Sequence, residues 1–498
     1  MVRKSSYGFR VNSKSLNKSL EFIKLRGGLI AGIALFVFFL FANPFALEPG
    51  ATKVLAVAAL MITWWIGEAM PMPAVALIPM VLFPLMNIAS LRETTSKYAD
   101  PVIFLFMGGF MLGLAIEKWN LHKRIALSIV KLTGTSGDRI VLGFILATGL
   151  ISMWLSNTAT TMMMYPIAAS VIFVVNENHK GAGNKSHFAL ALMLAIAYAS
   201  NFGGIATIIG TPPNVAFVGF IRDKYQYSIA FADWMLICAP IAILLLFTLY
   251  LVMVKWLYPN RITSSVETRN IITAELKALG PLSVAEKRVL VIFCSTAFLW
   301  IFKDLINALG WFTLDDTMIA VMGALALFIC PAGKNAGSSS RNILEWSDTA
   351  KMAWGILLLF GGGIALAFAL EKAGLIQSLG QWIAGMSGTG GLMLIFMITL
   401  VSLFISEVMS NIAQVIVFAP VIGGIADAMH IDPLLLGLPM TLGASCASMM
   451  PMGTPPNAIV FASGHVKMSQ MVRTGFVMNI IAVILITLFC WLLVPVLM

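Results

Sequence analysis

This chain is poor in charge: Lys, Arg, Asp and Glu make up 11% of its 498 residues, where soluble domains carry about 25%. That excludes an ordinary water-soluble enzyme. The alternating segments of about ten residues that mark an outer-membrane barrel are missing too, because the apolar runs here are continuous. The five cysteines (Cys238, Cys294, Cys330, Cys446, Cys490) stand singly, with no Cys-x-x-Cys and no His close by. They read as packing residues. No His-x-x-x-His, Gly-x-Ser-x-Gly or paired carboxylates occur at the helix breaks described below, which argues against hydrolytic or metal-dependent catalysis.

What is present is apolar sequence, 59% of the chain, in runs near the roughly 20 residues of a bilayer crossing. The sequence predicts an all-α polytopic membrane protein. About 11 transmembrane helices fall at about 28–47, 52–69, 72–88, 101–117, 188–221 (broken), 231–256, 287–307, 315–331, 353–370, 433–463 (broken) and 474–497. Two further apolar hairpins, 139–175 and 390–426, each reverse around a Ser-Asn and read as re-entrant. The organisation predicted is a basic N-terminus and first helix (1–51), a first repeat (52–257), a cytoplasmic linker (258–286) and a second repeat (287–498). With residues 1–27 in the cytoplasm, 25 of the 32 Lys and Arg fall inside and seven outside, the C-terminus being outside. The positive-inside rule then accounts for the net charge of +10 without a nucleic-acid partner. The lipid partner is the cytoplasmic (inner) membrane. The basic start is long for a signal peptide and the apolar run after it lacks a small-x-small cleavage site, so it is read as a retained first helix.

Two motifs occur twice in the same order. Ser156-Asn157-Thr158 returns as Ser410-Asn411-Ile412, and Gly210-Thr211-Pro212-Pro213-Asn214 as Gly453-Thr454-Pro455-Pro456-Asn457. Phe106-Met107-Gly108-Gly109 and Glu117-Lys118 are echoed by Phe360-Gly361-Gly362-Gly363 and Glu371-Lys372, with 40 residues from Glu to Asn in both halves. The step between halves is 254 residues here and 243 at Gly-Thr-Pro-Pro. Five crossings separate the span at 101–117 from its partner at 353–370, and an odd number inverts the second copy. Inverted repeats of this kind are found in many secondary transporters.

The repeated residues are helix-breakers with chemistry. Broken helices are tolerated at membrane depth only when buried in protein or lining a watery cavity. Free N–H groups at such breaks suit an anion and free C=O groups a hard cation such as Na⁺. Two prolines remove two donors and stop the preceding helix, while Gly permits unusual backbone angles. Asn201-Phe202-Gly203-Gly204, just before, is equally loose. The apparent site has no Arg or Lys, so an anion there is held by dipoles, amides and hydroxyls, aided by bound cations. Glu407, four residues before Asn411, either assists a cation site or bonds to backbone inside the hairpin; the second reading is preferred. His430 and Asp432 read as solvated residues of a short connection.

These paired signatures resemble the divalent anion/sodium symporter family, and the resemblance runs from about residue 52 to the end. It implies a homodimer in which scaffold helices flank a transport domain that moves as an elevator, with Na⁺ as coupling ion and no organic cofactor. By the same resemblance a first Na⁺ site maps to Ser152, Ser156, Asn157 and Gly210, and a second to Ser406, Asn411 and Gly453 with backbone from Met409. Substrate carboxylates would touch Asn157, Thr158, Thr211, Ser410, Asn411 and Thr454. Ile412 departs from the pattern, since the second signature often carries a third polar residue there. One hydroxyl contact is worth about 0.5–1.5 kcal/mol net, enough to retune selectivity.

The expected function is Na⁺-coupled import of a C4-dicarboxylate such as succinate, malate or fumarate. A Na⁺-independent dicarboxylate or citrate exchanger of the same fold is the alternative, and sulfate transport a third. A membrane-embedded enzyme would call for acidic or histidine clusters that the basic loops lack. A channel fits poorly with two matched re-entrant tips.

Overall fold

The computed structural model describes residues 13–67, 69–178, 184–263, 266–310, 313–333, 341–378, 381 and 391–497. The basic tail 1–12, the inner parts of the connections at 176–187, 255–288 and 332–351, and residue 390 of the second hairpin lie outside the described residues. Among the described residues the regular structure is helical, apart from an isolated bridge between Pro331 and Asn342. Nine of these helices are long and apolar enough to cross a membrane, and five shorter apolar helices accompany them.

Prolines account for the places where helices depart from the predicted spans. The first helix is Ser13–Ala42; it stops before Asn43, because the residue ahead of Pro44 is pushed out of the helical region. The span predicted at 72–88 is split into Met72–Val75 and Ile78–Leu85, in a segment with prolines at 71, 73, 79 and 84. Two stretches predicted as plain connections carry helices of their own, Leu121–Thr133 and Val266–Ala278. They meet: Arg124 pairs with Glu286 at 2.7 Å and donates to the carbonyls of Leu279 and Gly280, and Lys123 pairs with Glu275 at 3.1 Å. The linker is thereby docked onto the first repeat.

Each half then repeats one sequence of elements. The first hairpin has arms Gly137–Ser152 and Asn157–Asn178, and the second has arms Leu392–Ser406 and Asn411–Met429. The longer arm of each is itself of membrane-crossing length and apolarity. A hairpin returns the chain to the side it left whether it dips or spans, so the odd crossing count between halves is unaffected. The broken spans are Lys185–Gly204 with Pro212–Tyr225, and Pro433–Ser445 with Pro455–Ala462. Thr211 and Thr454 sit at matching N-cap positions with the same φ of −145°. The Pro pair after each fills the first turn, where missing N–H groups cost nothing.

Lys185–Gly204 is the centre of the molecule, with 94% of its apolar window buried. It lies against the short arm of the first hairpin so closely that a Cβ on Gly203 would fall 2.6 Å from the Gly149 Cα. Backbone meets backbone there, and nothing flexible can yield. Gly203→Ala is therefore expected to destabilise the protein by about 1–3 kcal/mol; an unchanged thermal midpoint in detergent would contradict this close contact. At the other extreme, Val284–Asn307 is only 17% buried. Its Val291, Phe298 and Leu305, spaced by seven, face outward.

Candidate functional site

In the first half, Ser156 begins the long arm of the hairpin, its Oγ accepting from the Ala159 N–H at 3.3 Å. This sets Asn157 in the first turn at the tip. From the end of the short arm, Ser152 Oγ donates to Asn157 Oδ1 at 2.8 Å. The break of the neighbouring span comes up against the tip. Thr207 donates its hydroxyl to the Met153 carbonyl (2.5 Å) and accepts from the Gly210 N–H at 3.0 Å. Asn214, just after the two prolines, donates from Nδ2 to the carbonyls of Gly204 (3.3 Å) and Thr207 (2.8 Å). A Cβ on Gly204 would lie 3.1 Å from Asn157 Cγ, and one on Gly210 would lie 3.0 Å from the Met153 oxygen. Only glycine lets tip and break approach this way. The Asn157 amide oxygen is thereby brought against Gly204, and the carbonyls of Gly204 and Met153 against Gly210.

The second half repeats the pattern. Ser406 Oγ lies 2.7 Å from Asn411 Oδ1 and 2.5 Å from the Ala444 carbonyl oxygen. A hydroxyl has one proton, so two of these three oxygens are close together without a hydrogen between them. Asn457 Nδ2 donates to the carbonyls of Ala447 (3.1 Å) and Met450 (3.1 Å). Those acceptors stand ten and seven residues before it, as Gly204 and Thr207 stand before Asn214. Sequence identity between the motifs has become identity of hydrogen bonding.

The halves are joined at this point. Asn157 Nδ2 donates to Asn201 Oδ1 at 3.4 Å, and Asn201 Nδ2 donates to Thr454 Oγ1 at 3.0 Å. A chain of polar contacts thus runs from Ser152 through Asn157 and Asn201 to Thr454. Around it, Asn157, Thr158, Met409, Ser410, Asn411 and Ile412 are half-buried at the tips, whereas Ser152, Gly210, Thr211, Ser406, Gly453 and Thr454 are buried behind them. Ser156 is exposed. The residues assigned to substrate are for the most part the accessible ones, and half of those assigned to cations lie deeper.

Glu407 has a bracing role, although not within its own hairpin. Its Oε1 accepts from the N–H groups of Ser448 and Met449 and from Asn479 Nδ2 (2.8, 2.9 and 2.6 Å), and its Oε2 accepts from Met450 N–H at 2.8 Å. It thereby satisfies the free donors of the second break. At the matching place the first half has Met153, and there the Thr207 hydroxyl ties tip to break instead. A carboxylate therefore stands beside Gly453 with no equivalent beside Gly210. His430 and Asp432 are cap residues: His430 ends the long arm with φ +54°, and Asp432 accepts from Leu434 N–H at 2.8 Å.

Sequence reasoning did not assign Asn201, Thr207, Asn214, Asn457 or Asn479 to the site. Asn214 and Asn457 carried a usable signal, since both follow the second proline. Asn201 carried none, because its counterpart is Ala444. Among the described residues, no group of three His, Cys, Asp or Glu is placed to hold a metal ion. Apart from the Glu407 carboxylate beside Gly453, the donors at the tips are neutral oxygens, suited to a hard cation.

Residues 24–498 match the family described as the sodium:sulfate symporter transmembrane region. Over 500 residues the chain is 38% identical to the sodium-dependent dicarboxylate transporter SdcS of Staphylococcus saprophyticus, covering 99% of this chain and 96% of that protein. It is 38% identical over 481 residues to the protein of the same name from Staphylococcus aureus strain USA300, covering 94% and 91%. The fold is similar to the crystal structure of the Alcanivorax borkumensis YdaH transporter, described as having an unusual topology, with a TM-score of 0.57 over 82% of this chain and 89% of that one. At 13% identity that likeness speaks to fold alone.

Proposed function

Since the chain belongs to the family defined by the sodium:sulfate symporter transmembrane region, and is thus a multi-pass membrane transporter, we propose that it imports a C4-dicarboxylate such as succinate, malate or fumarate together with Na⁺. The observation that carries this reading is the pair of matched tips, each with a Ser–Asn contact facing uncharged backbone oxygens. Such a donor set binds a hard monovalent cation. The half-buried Asn157, Thr158, Ser410 and Asn411 beside it offer neutral donors to two carboxylates. The names of the staphylococcal relatives favour a dicarboxylate over sulfate.

Energetics agree with coupling. A dianion moving inward against about 100 mV, inside negative, faces about 4.6 kcal/mol, at about 2.3 per charge. Two Na⁺ cancel that opposition and three reverse it.

Alternating access is the motion that fits two meeting breaks. The seam between the paired elements and the helices Pro101–Lys118 and Trp354–Lys372 is apolar, lined by Val102, Val215, Phe360, Ile364 and Ile416. An elevator motion would slide the paired elements along this apolar stretch. The outward apolar face of Val284–Asn307 is available to lipid or to a second copy, in line with a homodimer. In this reading the N-terminus is cytoplasmic and the C-terminus outside, as the positive-inside rule favours.

Labelled succinate uptake into proteoliposomes, with and without an inward Na⁺ gradient, tests the reading. Uptake should rise severalfold with the gradient. Gradient-independent uptake that demands internal dicarboxylate would instead make the protein an exchanger.

A further inference from the structure

We propose that Asn214 and Asn457 belong to the cation sites themselves: each amide nitrogen fixes two carbonyls of its break, and each amide oxygen is a ligand held free for the ion. The proposal rests on the symport reading and names two ligands that it does not contain.

Both side chains are wholly buried. Each Nδ2 is identified by its surroundings, since an atom flanked by two carbonyl oxygens is the donor nitrogen of the amide. In the first half these are the oxygens of Gly204 and Thr207, and in the second those of Ala447 and Met450. The opposite end of each amide, Oδ1, is buried with no hydrogen-bond partner among the described residues, in Asn214 and in Asn457 alike. A single buried acceptor without a donor calls for an explanation. Two at equivalent positions, in halves whose surrounding residues have diverged, call for the same one. Position supplies it. A Cβ on Gly210 would meet both the Gly204 carbonyl that Asn214 holds and the Met153 oxygen, and one on Gly204 would meet Asn157 Oδ1. In the second half the Ser406 and Asn411 oxygens of the tip and the Ala444 oxygen of the broken span crowd around a single proton. Oxygens converge in both places, and a hard cation is the partner they lack.

The test is Na⁺ titration of uptake by the purified protein in proteoliposomes, for wild type and for Asn214→Ala, Asn457→Ala, Asn214→Asp and Asn457→Asp. Each Ala variant should raise the Na⁺ concentration for half-maximal uptake about tenfold, with a smaller change in substrate KM at saturating Na⁺. Each Asp variant keeps the oxygen and adds a titratable charge. Its Na⁺ half-saturation should fall as pH rises through the carboxylate range, about 4 and above, while that of wild type stays flat. If an Ala variant does not fold, the pH profile of its Asp partner decides. Wild-type Na⁺ half-saturation in the variants, with a lowered thermal midpoint that Na⁺ does not restore, would reduce both residues to loop braces and overturn the proposal. A wild type indifferent to Na⁺ would overturn the symport reading, which is a separate failure.

Discussion

Asn157→Ala and Asn411→Ala should each abolish uptake while leaving a folded protein. Asn157 joins Ser152 at the tip to Asn201 of the central helix and so to Thr454, and Asn411 faces Ser406. In the proposed mechanism each amide serves a cation and a carboxylate. Losing two such contacts at about 1.5 kcal/mol each lowers the rate roughly 100-fold at subsaturating substrate. Folding is spared because both side chains are only half-buried, so truncation opens no large cavity. Uptake by proteoliposomes, alongside a size-exclusion profile, checks both points. Uptake above a tenth of wild type from either variant would remove that residue from the site.

Glu407→Ala has the largest expected effect on stability. It strips the acceptor from three backbone N–H groups and from the Asn479 amide, in a place that is almost fully buried. Each donor left bare costs about 1–3 kcal/mol, so a total above about 3 kcal/mol is expected even if water reaches some of them. The protein should lose its thermal midpoint or fail to accumulate. Glu407→Gln keeps one acceptor oxygen but turns an NH₂ toward backbone donors, and should fall in between. A Glu407→Gln protein with an unchanged midpoint but no stimulation by Na⁺ would make Glu407 a cation ligand rather than a brace.

The two predictions separate what a sequence can display from what it hides. The tips and breaks were legible because duplication printed them twice, and a repeated Ser-Asn or Gly-Thr-Pro-Pro has little to do in apolar helices except reverse or interrupt them. Spans were legible wherever an apolar run was uninterrupted. What the runs did not display is the break into two short helices within 72–88, where prolines are closely spaced, and the helices 121–133 and 266–278 within basic connections. Glu407 reads in the sequence as bonding to backbone inside its own hairpin, but its partners, 41 to 43 and 72 residues away, depend on tertiary packing. The same holds for Asn201: no local pattern and no repeat marks it, and its role exists only because Thr454, 253 residues on, is brought within reach.

That last contact bears on how tightly such a carrier is geared. A symporter wastes its ion gradient whenever one passenger crosses without the others. With each half holding its ion on an independently moving body, single-ion slippage would need no bond to break. Here Asn201 of the central helix donates to Thr454 at the second break at 3.0 Å, so in the proposed mechanism the two halves would move as one body and their passengers would travel as one consignment.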